Sequence, residues 1–135
     1  MTDPAQLQSA LAEYFAPWVQ ALDLRVHAHE GGAVILRLPQ NTQLSRVGGM
    51  LCGQAMMAAA DTAMVLALIQ HFGEFRPCTT VQMNTSFLKP LSNQDALIEA
   101  RVLRAGKSLA FGEIDIRGAD DGKSVSRATT TYALL

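Results

Sequence analysis

The sequence predicts an α+β fold in which a largely antiparallel sheet curls around one long helix. Three observations carry that expectation. The run from about Gln54 to Gly73 is rich in Ala, Met and Leu, lacks proline and ends in a glycine suited to stop a helix. That run is apolar almost all the way round, so it must be covered on most sides. Four β-patterned segments joined by tight turns follow it, and strands grouped apart from helices mark an α+β rather than an α/β chain.

The elements follow in order. Thr2-Asp3-Pro4 offers an N-cap and a first-turn proline, and Leu7, Leu11, Tyr14 and Phe15 recur at helical spacing. A short helix from about Pro4 to Phe15, stopped by Pro17, is expected within an N-terminal helical segment, residues 1–19. Leu24 to Glu30 alternates with period two, Gly31-Gly32 turns the chain, and Ala33 to Leu38 returns to Pro39, which reads as a β-hairpin. Residues 40–53 read as loop. After the long helix, strands are expected at Thr79–Leu88, Ala96–Arg104, Leu109–Arg117 and Val125–Leu135. Ala105-Gly106-Lys107 and the polar stretch Gly118 to Gly122 supply turns. With no repeat or linker, residues 1–135 read as one domain.

Composition excludes several function classes. Hydrophobic residues make up 49% and charged ones 17%, enough apolar material for a core and too little charge for a disordered chain. Eleven Lys and Arg against twelve Asp and Glu, with no charged block, argue against nucleic-acid or membrane-surface binding. The N-terminus lacks a basic stretch followed by an apolar one, so no signal peptide is expected. The apolar tract Ala55–Ile69 is interrupted by Asp61 and Thr62 and is short of the roughly 20 residues that span a bilayer. Cys52 and Cys78 are too few for a disulfide framework. A cytoplasmic protein with reduced thiols is the expectation.

Chemistry concentrates on the long helix. Asp61 is flanked by Ala58, Ala59, Ala60, Ala63, Met64 and Val65. A carboxylate there loses hydration at a cost of several kcal/mol unless bonded or paired. Such an acid serves as a base or nucleophile, or is held structurally by its neighbours. Gly48 to Gly53 delivers a glycine-rich turn into the helix start, where free N–H groups polarise a carbonyl or stabilise an oxyanion. Gly53 and Asp61 are eight residues apart, about 12 Å along the axis. A reacting carbonyl lies about 3 Å from both its donor and its attacking group. If both residues act in one reaction, they come from two chains with antiparallel helices at a symmetric interface.

Other candidates fare less well. Cys52 stands at the helix N-terminus, but no Cys-His-Asn pattern supports a thiol nucleophile. His27 and His29 share a strand face without a third metal ligand. Met56, Met57 and Met64 read as core filler. Lys89, Arg104 and Lys107 lie at strand ends or turns, where phosphate contacts are feasible.

The run Gly49-Met50-Leu51-Cys52-Gly53-Gln54, six further residues, then Asp61-Thr62-Ala63-Met64 resembles the hotdog-fold acyl-CoA thioesterases of the PaaI-like group. Thr79 to Pro90 is similar to that family's third strand, Gly106-Lys107-Ser108 to the following turn, and Asp121 to Tyr132 to its last hairpin. The resemblance covers roughly residues 20–135 and implies a hotdog fold, a sheet wrapped around the central helix. It further implies acyl-CoA hydrolysis, for a small, aromatic or medium-chain acyl group, at the interface of a homodimer or homotetramer. Coenzyme A is then part of the substrate, and no metal or other cofactor is called for. Asp61 takes the role of base or nucleophile, and the Gly53 N–H of the partner chain polarises the carbonyl. Thr80 helps hold the water or the carboxylate, and Arg46, Cys52, Gln54, Lys89, Lys107 and Ser108 become substrate-binding positions. Cys52 stands where the family usually has His, Gln54 at the second of two paired glycines, and Arg46 at a position often held by Asn. These departures motivate one alternative, a non-catalytic acyl-CoA-binding module on the same fold.

Overall fold

The structure, a computed structural model, describes residues 3–30 and 32–135. Thr2 and Gly31, assigned above to a cap and a turn, lie outside the described residues. The chain opens with α1 (Pro4–Glu13), where Asp3 accepts from the Gln6 N–H at 2.9 Å and Gln6 reaches back to the Asp3 N–H. Pro17 does not merely stop this helix; it begins α2 (Pro17–Gln20). Its missing N–H and fixed φ suit a first helical position. The remaining helix is α3 (Gly53–Phe72), closed by Gly73 at φ 78°. Only a residue at ease in the left-handed region makes that stop without strain.

The strands are β1 (Arg25–Glu30), β2 (Ala33–Leu38), β3 (Ser45–Arg46), β4 (Met50–Leu51), β5 (Cys78–Phe87), β6 (Ala96–Ala105), β7 (Leu109–Gly118) and β8 (Ser124–Leu134). Six form one antiparallel sheet in the order β1-β2-β6-β7-β8-β5. The segment expected as plain loop holds a 3-10 turn (Thr42–Leu44) and the small β3–β4 hairpin. Its backbone is tied at Cys52 N–H to Leu44 C=O, 2.8 Å, which fixes the entry to α3. A bulge between Val26 and Ala28 breaks the period of β1 at His27, so His27 and His29 do not share the regular face expected of them. Among the described residues no cluster of three or more His, Cys, Asp or Glu forms.

The sheet wraps α3 as expected. Ala59, Ala63, Met64 and Leu66 are fully buried against Leu36, Leu38, Ile98, Ala100 and Ile114 of the inner sheet face. Each large side chain so covered contributes about 1.5–3 kcal/mol. Gly112 on β7 is required here, because a Cβ would stand 2.2 Å from Met64 Cε. The 20 residues of α3 reach the length of a membrane span, which the interrupted apolar tract did not suggest, but most are buried as a core helix is. Met57 departs from the expected core role at 39% exposure. It belongs to a stripe of exposed or half-buried α3 residues, Gln54, Met57, Ala58, Asp61 and Val65, on the side left uncovered by the sheet. Beside that stripe runs β5, the last strand, whose residues 79–82 are exposed and whose outer edge pairs with nothing among the described residues.

Candidate active site

Asp61 sits at mid-helix on the uncovered stripe, half-buried. Two hydroxyls hold one of its oxygens: Thr80 Oγ1 of β5 donates to Oδ1 at 2.9 Å, and Tyr132 OH of β8 donates to the same atom at 2.5 Å. Register explains the convergence, since Thr80 and Tyr132 are cross-strand partners and both point toward α3. The other oxygen, Oδ2, has no hydrogen-bond partner among the described residues. Asp61, Thr80 and Tyr132 line one end of a cavity of ≈ 160 Å³ whose other walls are mostly apolar. A structural acid satisfied on both oxygens, with no space beside it, would have looked different.

Tyr132 is the residue missed in the sequence. It is 1% exposed, and burial first, then the Asp61 carboxylate, pushes its phenol far above the ordinary tyrosine value. It therefore remains a proton donor to Asp61 at any working pH. Cys78 also lines this cavity, and burial followed by the nearby Asp61 charge raises its thiol. That makes it a poor nucleophile. Tyr132→Phe should keep the fold, remove the shorter of the two bonds to Asp61 and lower kcat by about tenfold, as loss of one charge-assisted bond of about 1.5–3 kcal/mol implies. Steady-state kinetics beside a thermal melt check it: an unchanged kcat with an intact fold would remove Tyr132 from the site.

Gly53 stands elsewhere. As the first residue of α3 it leads a helix whose N-cap, Cys52, makes no side-chain cap bond, so the first N–H groups remain available donors. It lines a second cavity of ≈ 350 Å³ with Arg46 and Lys89, two cations flanking the helix N-terminus. Arg46 is exposed, with Nη2 3.4 Å from Met50 Sδ, and Gln54 is exposed on the open stripe. Lys107 and Ser108 line neither cavity. They form the exposed β6–β7 turn at the Cys78 end of the sheet, where the Leu134 N–H donates to Ser108 C=O at 2.9 Å and Leu134 pairs with Cys78. Arg104 is exposed beside Phe111 on β7. Within one chain, then, Asp61, Thr80 and Tyr132 come together, while Gly53, Arg46 and Lys89 gather at a separate place.

Comparison with known proteins bears on this arrangement. A Saccharolobus solfataricus protein provisionally named an esterase is 27% identical over 135 residues, 100% of this chain and 95% of its own. Human acyl-coenzyme A thioesterase 13 is 28% identical over 104 residues, 76% of this chain and 74% of its own. The crystal structure of a Haemophilus influenzae thioesterase superposes with a TM-score of 0.89 at 18% identity, covering 100% of this chain and 92% of that one, which supports the hotdog fold. The sequence model of the thioesterase superfamily matches residues 48–125, the span that holds both Gly53 and Asp61, and the chain belongs to that superfamily.

Proposed function

We propose that the chain hydrolyses acyl-CoA thioesters in a site shared by two copies, with Asp61 of one facing the Gly53 N–H of the other. The observation that carries this reading is the half-satisfied carboxylate. Oδ1 is pinned by Thr80 and Tyr132 while Oδ2 has no partner, in a residue that lines a cavity. A rigidly held acid with one open oxygen is suited to take a proton from water or to attack a carbonyl directly.

The chemistry runs as follows. Water, losing its proton to Asp61, adds to the thioester carbon, and the carbonyl oxygen becomes an oxyanion that accepts from the Gly53 N–H. The C–S bond then breaks, and the departing thiolate collects the proton, leaving a carboxylate and free coenzyme A. If Asp61 attacks instead, the same thiolate leaves and water cleaves the resulting anhydride. A removed oxyanion donor typically costs 10²–10³ in kcat.

The two-copy arrangement rests on spacing and exposure. The 12 Å of helix between Gly53 and Asp61 prevents one chain from presenting both to the same atom. The uncovered α3 stripe and the open edge of β5 form one continuous surface, suited to an isologous contact with a second copy. Antiparallel pairing of β5 with its copy brings the Cys78 end of one chain to the Phe87 end of the other. Arg46 and Lys89 of the copy supplying Gly53 then join Lys107 and Ser108 of the copy supplying Asp61, with cations at hand for the phosphates of coenzyme A. The exposed Gln54 and the N-cap Cys52 border the same cleft.

A thiol-release assay over acetyl-, hexanoyl-, benzoyl- and palmitoyl-CoA tests the reading. Turnover of at least one of them is expected. Tight equilibrium binding of an acyl-CoA with no thiol released would instead establish the non-catalytic binding module.

A further inference from the structure

We propose that the N-terminal segment α1–α2 forms the acyl-selecting wall of this site, with Trp18 and Phe15 limiting the acyl group to a compact, ring-sized one. The inference rests on the thioesterase reading and adds to it the part of the substrate that is chosen. Phe15, Trp18 and Val19 line the Asp61 cavity opposite Ala58 and Val65 of α3, so the polar end holding Asp61 continues into an apolar chamber. Its ≈ 160 Å³ is close to the volume of about 150 Å³ at which an apolar protein cavity accommodates benzene. A thioester carbonyl placed at Asp61 leaves its acyl substituent in that chamber.

The segment is built as a fixed wall. Leu7 and Leu11 of α1 are buried in the core, and Gln8 brackets β1 by accepting from the Val26 N–H at 2.8 Å and donating to Leu24 C=O at 3.3 Å. Tyr14 stacks on Phe75 with ring centroids 4.1 Å apart, and Gln20 Nε2 donates to Phe15 C=O at 2.7 Å, which ties α2 back to the aromatic it follows. Trp18 is nevertheless 64% exposed, a large apolar surface at the rim of a cavity that an occupant would cover. The wall also lies outside residues 48–125, the span matched by the superfamily. It is therefore a feature of this chain added to the shared framework, as a specificity element should be.

Trp18 is the single tryptophan, so its emission reports occupancy directly. Two non-hydrolysable ketone thioethers serve as probes, S-phenacyl-CoA as the compact one and S-(2-oxoheptadecyl)-CoA as the long one, with free coenzyme A as control. Phenacyl-CoA should shift Trp18 emission to shorter wavelength, free coenzyme A should not, and the long probe should bind at least tenfold more weakly by calorimetry. In turnover, the ratio of kcat/KM for benzoyl-CoA over palmitoyl-CoA should fall at least tenfold in Trp18→Ala, and in Phe15→Ala as the second variant. Hydrolysis with a flat chain-length profile, or a ratio unmoved in both variants, overturns the wall while leaving the thioesterase reading standing. Binding with the emission shift but without hydrolysis keeps the wall and overturns the thioesterase reading. If neither probe binds and no acyl-CoA turns over, both are wrong.

Discussion

Asp61→Asn is expected to lose about 10³-fold in kcat, the range that removal of a general base or nucleophile commands, while its melting temperature stays near the parent value. Asparagine keeps the shape of the side chain and an oxygen that accepts from Thr80 Oγ1 and Tyr132 OH, so the bonds pinning Oδ1 have a substitute. What it removes is the charge and the proton affinity of the open oxygen. Asp61→Ala should be equally inactive, but it leaves the buried Tyr132 hydroxyl without its partner and is expected to cost stability, of the order of 1–3 kcal/mol. Rates from thiol release, set beside denaturant melts of both variants, separate chemistry from fold. Asp61→Asn with near-parent kcat would show that the carboxylate only holds the helix against β5 and β8.

The second large effect is expected at the helix start. Gly53→Pro removes one N–H and little else. Gly53 is the first residue of α3, where proline's fixed φ belongs, and Cys52 before it already has φ −73° and ψ 149°, the extended geometry that proline imposes on its predecessor. The new Cβ would come 3.2 Å from Phe87 Cζ, a contact the 49%-exposed ring can relieve. Gly53→Ala brings the same Cβ and keeps the donor. The account predicts a 10²–10³-fold loss of kcat for the proline variant and a far smaller one for alanine. Equal losses in both would assign the effect to Phe87 and not to the N–H.

Much of this was legible in the sequence, for identifiable reasons. A lone acid among alanines and methionines, and a glycine opening a proline-free apolar run, stand out because each is costly or unusual where it occurs. They mark Asp61 and Gly53 without any knowledge of the sheet. The helix bounds and the four later strands followed from glycines and polar turns. Tyr132 did not stand out, because an aromatic in an alternating strand looks like core. Its role comes from register, which puts it opposite Thr80 and under Asp61. Pro17 was read only as a stop, since a four-residue helix carries too little periodicity to show. The shape of the acyl chamber was hidden for a similar reason: Phe15, Trp18 and Val19 meet Ala58 and Val65 only after some forty residues of intervening chain have folded between them.

The central claim is that each site draws its acid and its donor from different chains, and complementation measures this directly. Asp61→Asn and Gly53→Pro are co-expressed with different tags, and the mixed assembly is purified through both. In each mixed pair one site holds an intact Asp61 facing an intact Gly53, and the other holds neither. Two nearly dead parents should therefore yield roughly half of the wild-type activity per pair, as two-fold symmetry requires. A mixed assembly no more active than its parents, or full activity from a single unpaired chain, would contradict the shared site.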